Sequence, residues 1–206
     1  NLQFIRLWQQ FAANLQKTDG KLLDLSGEAF DEDIEVGLLE QSQNVTILFC
    51  YHSIKLMLAY LAGDDQSAIR HYQAALPLVG VAMSLYHQTE FYFFAALLAT
   101  RLSKQNAALE ADWRPLAEQY LALLQKWSVR ASSNHRHKVA LLMAELSAVS
   151  KEGSAWQAYD RAIELAQQSG FIQHLAICQE LTAHYWQSQG KTDFATLYLQ
   201  KAQHSY

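Results

Sequence analysis

The stretch Asn134–Glu145, NHRHKVALLMAE, places two histidines, an arginine, a lysine and one carboxylate around an apolar run. Clustered histidines suit metal binding, phosphotransfer or general acid–base work, and each use imposes a spacing. A metal pair on a helix needs ligands one turn apart, whereas His135 and His137 are two apart and point to different faces. The stretch therefore reads as a helix start. Asn134 is the expected N-cap, its side-chain oxygen accepting from the exposed N–H groups of the first turn. Glu145, alone among apolar neighbours, reads as a satisfied structural carboxylate rather than a catalytic one.

The remaining candidates for chemistry are weaker. Asp31-Glu32-Asp33-Ile34-Glu35 and Asp64-Asp65 do not form the D-D-x-x-D of a magnesium-dependent isoprenoid synthase, and they read as acids placed in first helical turns by the macrodipole. The chain has no G-x-x-x-x-G-K-[ST], H-E-x-x-H or G-x-S-x-G, nor the S-H-E-L-R-T-P phosphoacceptor motif. Cys50 and Cys178 lie far apart in the sequence, without zinc-type spacing, and read as reduced, buried small hydrophobes. The expectation is a segment with no catalytic residues, no metal and no cofactor.

The elements that carry these residues are helices. Only 2 prolines and 8 glycines occur in 206 residues, and β-branched residues dominate no run, which leaves strands little support. Three segments align by their small residues: Gly63, Ala68, Tyr72 and Ala75; Ser150, Ala155, Tyr159 and Ala162; Gly190, Ala195, Leu199 and Ala202. A turn residue, an alanine, a large apolar residue and a second alanine recur at one spacing. This is the signature of helix–turn–helix repeats, in which small residues let antiparallel helices approach and the large one fills the gap between pairs. A degenerate copy fits at Leu116, Tyr120 and Leu123. Between Ala155 and Ala166 the apolar positions follow one helical face, including Ala158 and Ile163.

Helix ends are expected at Gly63-Asp64, at Ser169-Gly170, where glycine can turn left-handed, and at Gly190-Lys191. Pro115 is expected early in its helix, where a missing N–H costs little. The predicted architecture is all-α. Antiparallel helix pairs over 41–80, 86–128, 134–169 and 171–206 stack as a right-handed superhelix of the tetratricopeptide kind, behind an irregular part over 1–40. That part has a helix near 2–17, a turn at Thr18-Asp19-Gly20 and a loop from Asp24 to Glu35. All of this forms one repeat domain, 1–206. In such a stack the first helix of each pair lines a concave groove. By the repeat phase this groove takes Ser53, Met57 and Tyr60 from the first pair, His137 from the third, and Glu180, His184 and Gln187 from the fourth. Ala140, Ala144 and Ser147 make it shallow. Trp156 and Trp186 read as packing residues rather than binding anchors.

The 16 basic and 20 acidic side chains give a net charge of -4, without the basic stripe that would neutralise nucleic-acid phosphates. Half of the residues are hydrophobic, enough for a sizeable core. Charged residues make up only 17%, below the roughly 25% usual for soluble domains, and the resulting surface suits contact with protein. No apolar run reaches the length of a membrane span, and no secretory leader is readable, so the expected location is cytoplasmic. The start at Asn1, without Met, and an end within a helical pattern at Tyr206 suggest a piece of a longer protein.

The succession NHRHKVALLMAE, AYDRAIELAQQSGFI and CQELTAHYWQSQGKTDFATLYLQKAQHSY resembles the helical region of very large bacterial signalling proteins. These join a serine/threonine kinase-like domain, a P-loop ATPase, a helical repeat region, a GAF sensor and a sensor histidine kinase. Asn134, His137 and Lys138, then Tyr159 through Ile163, then Glu180, Leu181, Gly190, Lys191, Tyr198, Leu199, Lys201 and Ala202 coincide with that pattern, while Ser150 and Thr182 depart from it. The resemblance implies a non-catalytic interaction or linker domain between ATPase and histidine-kinase modules, in contact with other domains of the same polypeptide or with a protein or peptide. The alternative is a ligand-sensing helical repeat of a regulatory ATPase or transcription activator, which calls for an enclosed polar pocket.

Overall fold

A computed structural model describes residues 2–16, 21–83, 86–150 and 155–206. The expected turn at Thr18–Gly20 and the segment after Ser150 lie outside the described residues. Among those described, ten α-helices and one 3-10 helix occur, with no strand beyond a single bridge between Ser26 and Asp31. The α-helices are α1 (Leu2–Leu15), α2 (Glu32–Gln41), α3 (Val45–Leu61), α4 (Asp65–Ala75), α5 (Tyr86–Ser103), α6 (Ala107–Arg130), α7 (Ser132–Val149), α8 (Ala155–Ser169), α9 (Ile172–Ser188) and α10 (Thr192–Ser205). The 3-10 helix spans Leu76–Ala82. Where the sequence suggests one domain, the chain divides into two compact units, Asn1–Leu98 and Ala99–Tyr206.

The hairpin turns share one construction. Gly63, Gly170 and Gly190 adopt φ of +73°, +72° and +70°, the left-handed conformation that a side chain disfavours. Each is followed by an N–H that reaches back five residues: Asp64 to the Ala59 carbonyl at 3.0 Å, Phe171 to Ala166 at 3.2 Å, and Lys191 to Trp186 at 2.9 Å. These Schellman bonds satisfy carbonyls that the helix end would leave bare. Asn44 makes the same bond to Leu39 at 2.9 Å, with Gln43 at φ 51° in the position glycine holds elsewhere.

In the first unit α3 is buried nearly all round and packs on α4, on the 3-10 helix, and on α1 and α2. Ala68, Tyr72 and Ala75 form the seam of α4 and are all buried. Tyr72 stacks on Phe91 at 5.8 Å, and Phe91 meets Phe49 edge-on at 5.5 Å. Asp31 and Asp64 cap α2 and α4, and the acids after them lie in first turns as expected. In the second unit α6 to α10 pack each on the next, and α7 also touches α9. Here Ala155, Tyr159 and Ala162 are buried on α8, and Ala195 and Ala202 on α10, whereas Leu199 is 45% exposed.

Three local expectations are corrected. The degenerate copy is buried at Ala117, Tyr120 and Leu124, one residue later than the alignment at Leu116 and Leu123, because alanine and not leucine sits at the closest approach. Pro115 is not early in its helix. Asn106 caps α6 through the Leu109 N–H at 3.0 Å and the helix starts at Ala107, so the proline lies two turns in, where it removes an interior hydrogen bond. Nor does Asn134 cap α7. The chain reverses at Ala131 alone and the helix resumes at Ser132, leaving Asn134 in the first turn with its N–H on the Ala131 carbonyl. On α8, Ala158 and Ile163 are half-buried at the edge of the face.

Candidate functional site

The histidine stretch is an interhelical clasp. His137 is fully buried, and its Nε2 lies 2.9 Å from Nδ1 of His174, which enters from α9. Phe171 stacks on the His137 ring at 4.7 Å, and the buried Lys138 ammonium stands 5.9 Å from the Phe171 ring centre. His174 was not singled out from the sequence: it lies 37 residues after His137, whereas the repeat that matches Ser150 to Gly190 sets His137 level with Ile177. His135 is also buried, against Trp127. Among the described residues no group of three or more His, Cys, Asp or Glu could hold a metal ion.

Glu145 is likewise built into the interior. Its carboxylate accepts from Lys104 Nζ at 2.7 Å, from Thr100 Oγ1 at 3.4 Å and from the hydroxyl of the fully buried Tyr159. A buried carboxylate supplied with a cation and two hydroxyls holds helices together. Cys50 and Cys178 are buried free thiols. Burial pushes the Cys50 thiol up to about 12, and burial with the Glu145 charge raises Cys178 further.

The residues expected to line a groove fall into two sets. Ser53, Met57, Tyr60 and His137 are buried inside their own units, as is Ala144, so they face protein and not an open surface. Ser53 donates to the Phe49 carbonyl at 2.8 Å, and Tyr60 meets Phe94 edge-on at 5.7 Å. The first-pair helix α3 is too thoroughly enclosed to offer a concave face. Glu180, His184 and Gln187 lie at i, i+4 and i+7 on α9; His184 and Gln187 are exposed and Glu180 is half-buried. Tyr206 donates to Glu180 at 2.7 Å, and Ser205 donates to Gln179 at 2.8 Å, extending the polar strip onto α10. Of the two tryptophans, Trp186 stacks on Phe194 at 5.1 Å and Trp156 is 40% exposed.

A concavity in the first unit was not anticipated residue by residue. A cleft of about 490 Å³ opens between the loop at Leu23 and Asp24 and helices α2, α3 and α4. Its floor is a closed polar network. Lys55 Nζ donates to the Leu23 carbonyl and to both Glu32 oxygens at 2.8 and 2.9 Å, and Tyr51 donates to Glu32 at 2.9 Å. Burial, followed by the Glu32 charge, keeps the Tyr51 hydroxyl protonated far above its ordinary range. Ser67, Arg70 and His71 of α4 form the opposite wall.

Behind that wall His71 and His52 face each other through their Nδ1 atoms, 3.0 Å apart. One ring must donate its Nδ1 proton and the other accept it, so the accepting imidazole is neutral and the two cannot both be protonated at Nδ1. Burial and the Lys55 charge hold His52 down at about 4. Burial, then His52, Lys55 and Arg70, hold His71 at about 3, with Asp64 acting weakly the other way. The spacing His52…His71 carries no motif, and only the fold of α3 against α4 brings the two together.

Compared with protein-family models, with curated proteins and with solved structures, the chain finds no match in any of the three. Among the described residues no helix is long and apolar enough to cross a membrane.

Proposed function

We propose that this chain is a non-catalytic interaction and linker domain, built of tetratricopeptide-like hairpins stacked in a right-handed superhelix, within a cytoplasmic multidomain signalling protein. The observation that carries this reading is the stacking in the second unit. Helix α9 packs on α8, α7 and α10, with His137 of α7 joined to His174 of α9, so the hairpin α9–α10 lies against α7–α8, the contact that repeat stacking would make. The strip of half-buried Glu180 and exposed His184 and Gln187 is then the surface offered to a partner. The resemblance of residues 134–206 to the helical region of the large kinase and ATPase proteins supplies the partner class: other modules of the same polypeptide, and neither nucleic acid nor membrane.

The test is a binding measurement between this domain and the modules encoded around it. Replacing Glu180, His184 and Gln187 together by alanine should weaken binding about tenfold or more, the loss of roughly 1.4 kcal/mol, while the helical content is kept. Unchanged binding by that variant, or turnover of a substrate by the domain itself, refutes the reading. A second reading, ligand sensing by a regulatory helical domain, is favoured by one observation: the polar cleft between α2, α3 and α4.

A further inference from the structure

One group in the cleft of the first unit is bonded far below its capacity. Lys55 has three acceptors for its three N–H bonds, and Glu32 receives both Lys55 and Tyr51, so the floor needs nothing more. Arg70 differs. It lines the cleft and is exposed, and among the described residues its only hydrogen bond runs from Nη2 to Ser67 Oγ at 2.7 Å. A guanidinium has five donors in a planar fork that matches a carboxylate bidentately.

We propose that this cleft binds a small organic monocarboxylate, its carboxylate seated on the Arg70 guanidinium and the Ser67 hydroxyl and its body against Leu23, Ala59 and the His71 ring. The assignment rests on the ligand-sensing reading and names its ligand class. The cleft carries Asp24, Glu32, Lys55 and Arg70, two charges of each sign, with Lys55 and Glu32 neutralising one another. A single carboxylate therefore meets the open N–H fork of Arg70, whose charge is already partly offset by Asp64 and by Asp24 of the lining. A phosphate dianion would bring a second charge towards Asp24 and Glu32 with no further cation to offset it. The helix start beside it is also closed to phosphate, because the Ser67 N–H is already taken by Asp64 Oδ1 at 2.9 Å. An amine would face Arg70 itself. The volume of about 490 Å³ lies within the range of roughly 300–1,000 Å³ usual for small-molecule sites.

The experiment uses the full chain with labelled histidines and three probes added separately: benzoate, inorganic phosphate and benzylamine. Benzoate should shift the His71 ring resonances saturably, and Arg70→Gln should weaken it about tenfold or more, with Arg70→Lys between the two. Because Arg70 is exposed, both variants keep the fold, which unchanged His137 and His174 resonances verify. If phosphate or benzylamine shifts His71 and benzoate does not, the ligand class is overturned while the sensing reading stands. Benzoate binding that is equal in the wild type and Arg70→Gln overturns the seat on Arg70. If no probe moves His71, both the proposal and the sensing reading fall.

Discussion

Acidification should destabilise the first unit through the histidines that it holds neutral. His52 and His71 are kept at about 4 and 3 by burial and by nearby cations, against about 6.5 in an unfolded chain. Since the folded values lie below the unfolded one, the unfolded chain binds more protons in this window. Stability present above about pH 6.5 is therefore lost as the pH falls towards the folded values. At about pH 5 the loss is about 2 kcal/mol for one imidazole and about 4 for both as an upper bound. Two protons cannot be accommodated at all with the Nδ1 atoms 3.0 Å apart, because both atoms would then be donors.

His87, which accepts a hydrogen bond from Trp8 and is held at about 4 by burial, adds a similar share. Trp8 is the single tryptophan of residues 1–98, so its fluorine resonance in chain made with 5-fluorotryptophan reports that unit alone. The unfolding free energy read from the urea titration of this resonance should fall between about pH 7 and pH 5 by several kcal/mol in the wild type. In His52→Gln/His71→Gln only the His87 share of roughly 2 kcal/mol should remain. A midpoint independent of pH in the wild type, or an equal fall in the double variant, refutes the reasoning.

Four further outcomes follow from the helix ends, the interior proline and a seam. At Gly190 a Cβ would meet nothing within 4 Å, so Gly190→Ala should cost only the left-handed conformation, about 1–2 kcal/mol by urea titration. Conversely, Gln43→Gly, in the matching turn, should gain about 0.5–1 kcal/mol. Pro115→Ala restores an interior hydrogen bond of α6 and should raise stability by about 2 kcal/mol after the added freedom of the unfolded chain is subtracted. Ala162→Leu puts three carbons into a seam with no exposed surface and should cost about 1–3 kcal/mol by the same titration; no loss would show that the seam is open.

What could be read from the sequence was the part set by short spacings. The turn glycines and the alanines five residues beyond them mark local geometry: one must turn left-handed, and the other must let a neighbouring helix close in. Helix caps at Asp31 and Asp64 obey the same local logic, and the ends of the predicted helix pairs fall close to those of α3 to α10. Reading failed where two local signals competed. At Asn134 a good capping residue lost to a chain reversal at Ala131, and at Pro115 a residue that prefers first turns lost to the stronger cap at Asn106. The burial of the first-pair groove residues has a different origin. Whether Ser53, Met57 or Tyr60 faces a groove depends on what covers α3, and its covering by α1, α2, α4 and the 3-10 helix is a property of distant segments that no period in α3 records. Pairs such as His52 with His71, or Lys55 with Glu32, are separated by 19 and 23 residues and belong to different elements. The cleft is thus a product of tertiary packing, whereas the hairpins that enclose it are a product of sequence spacing.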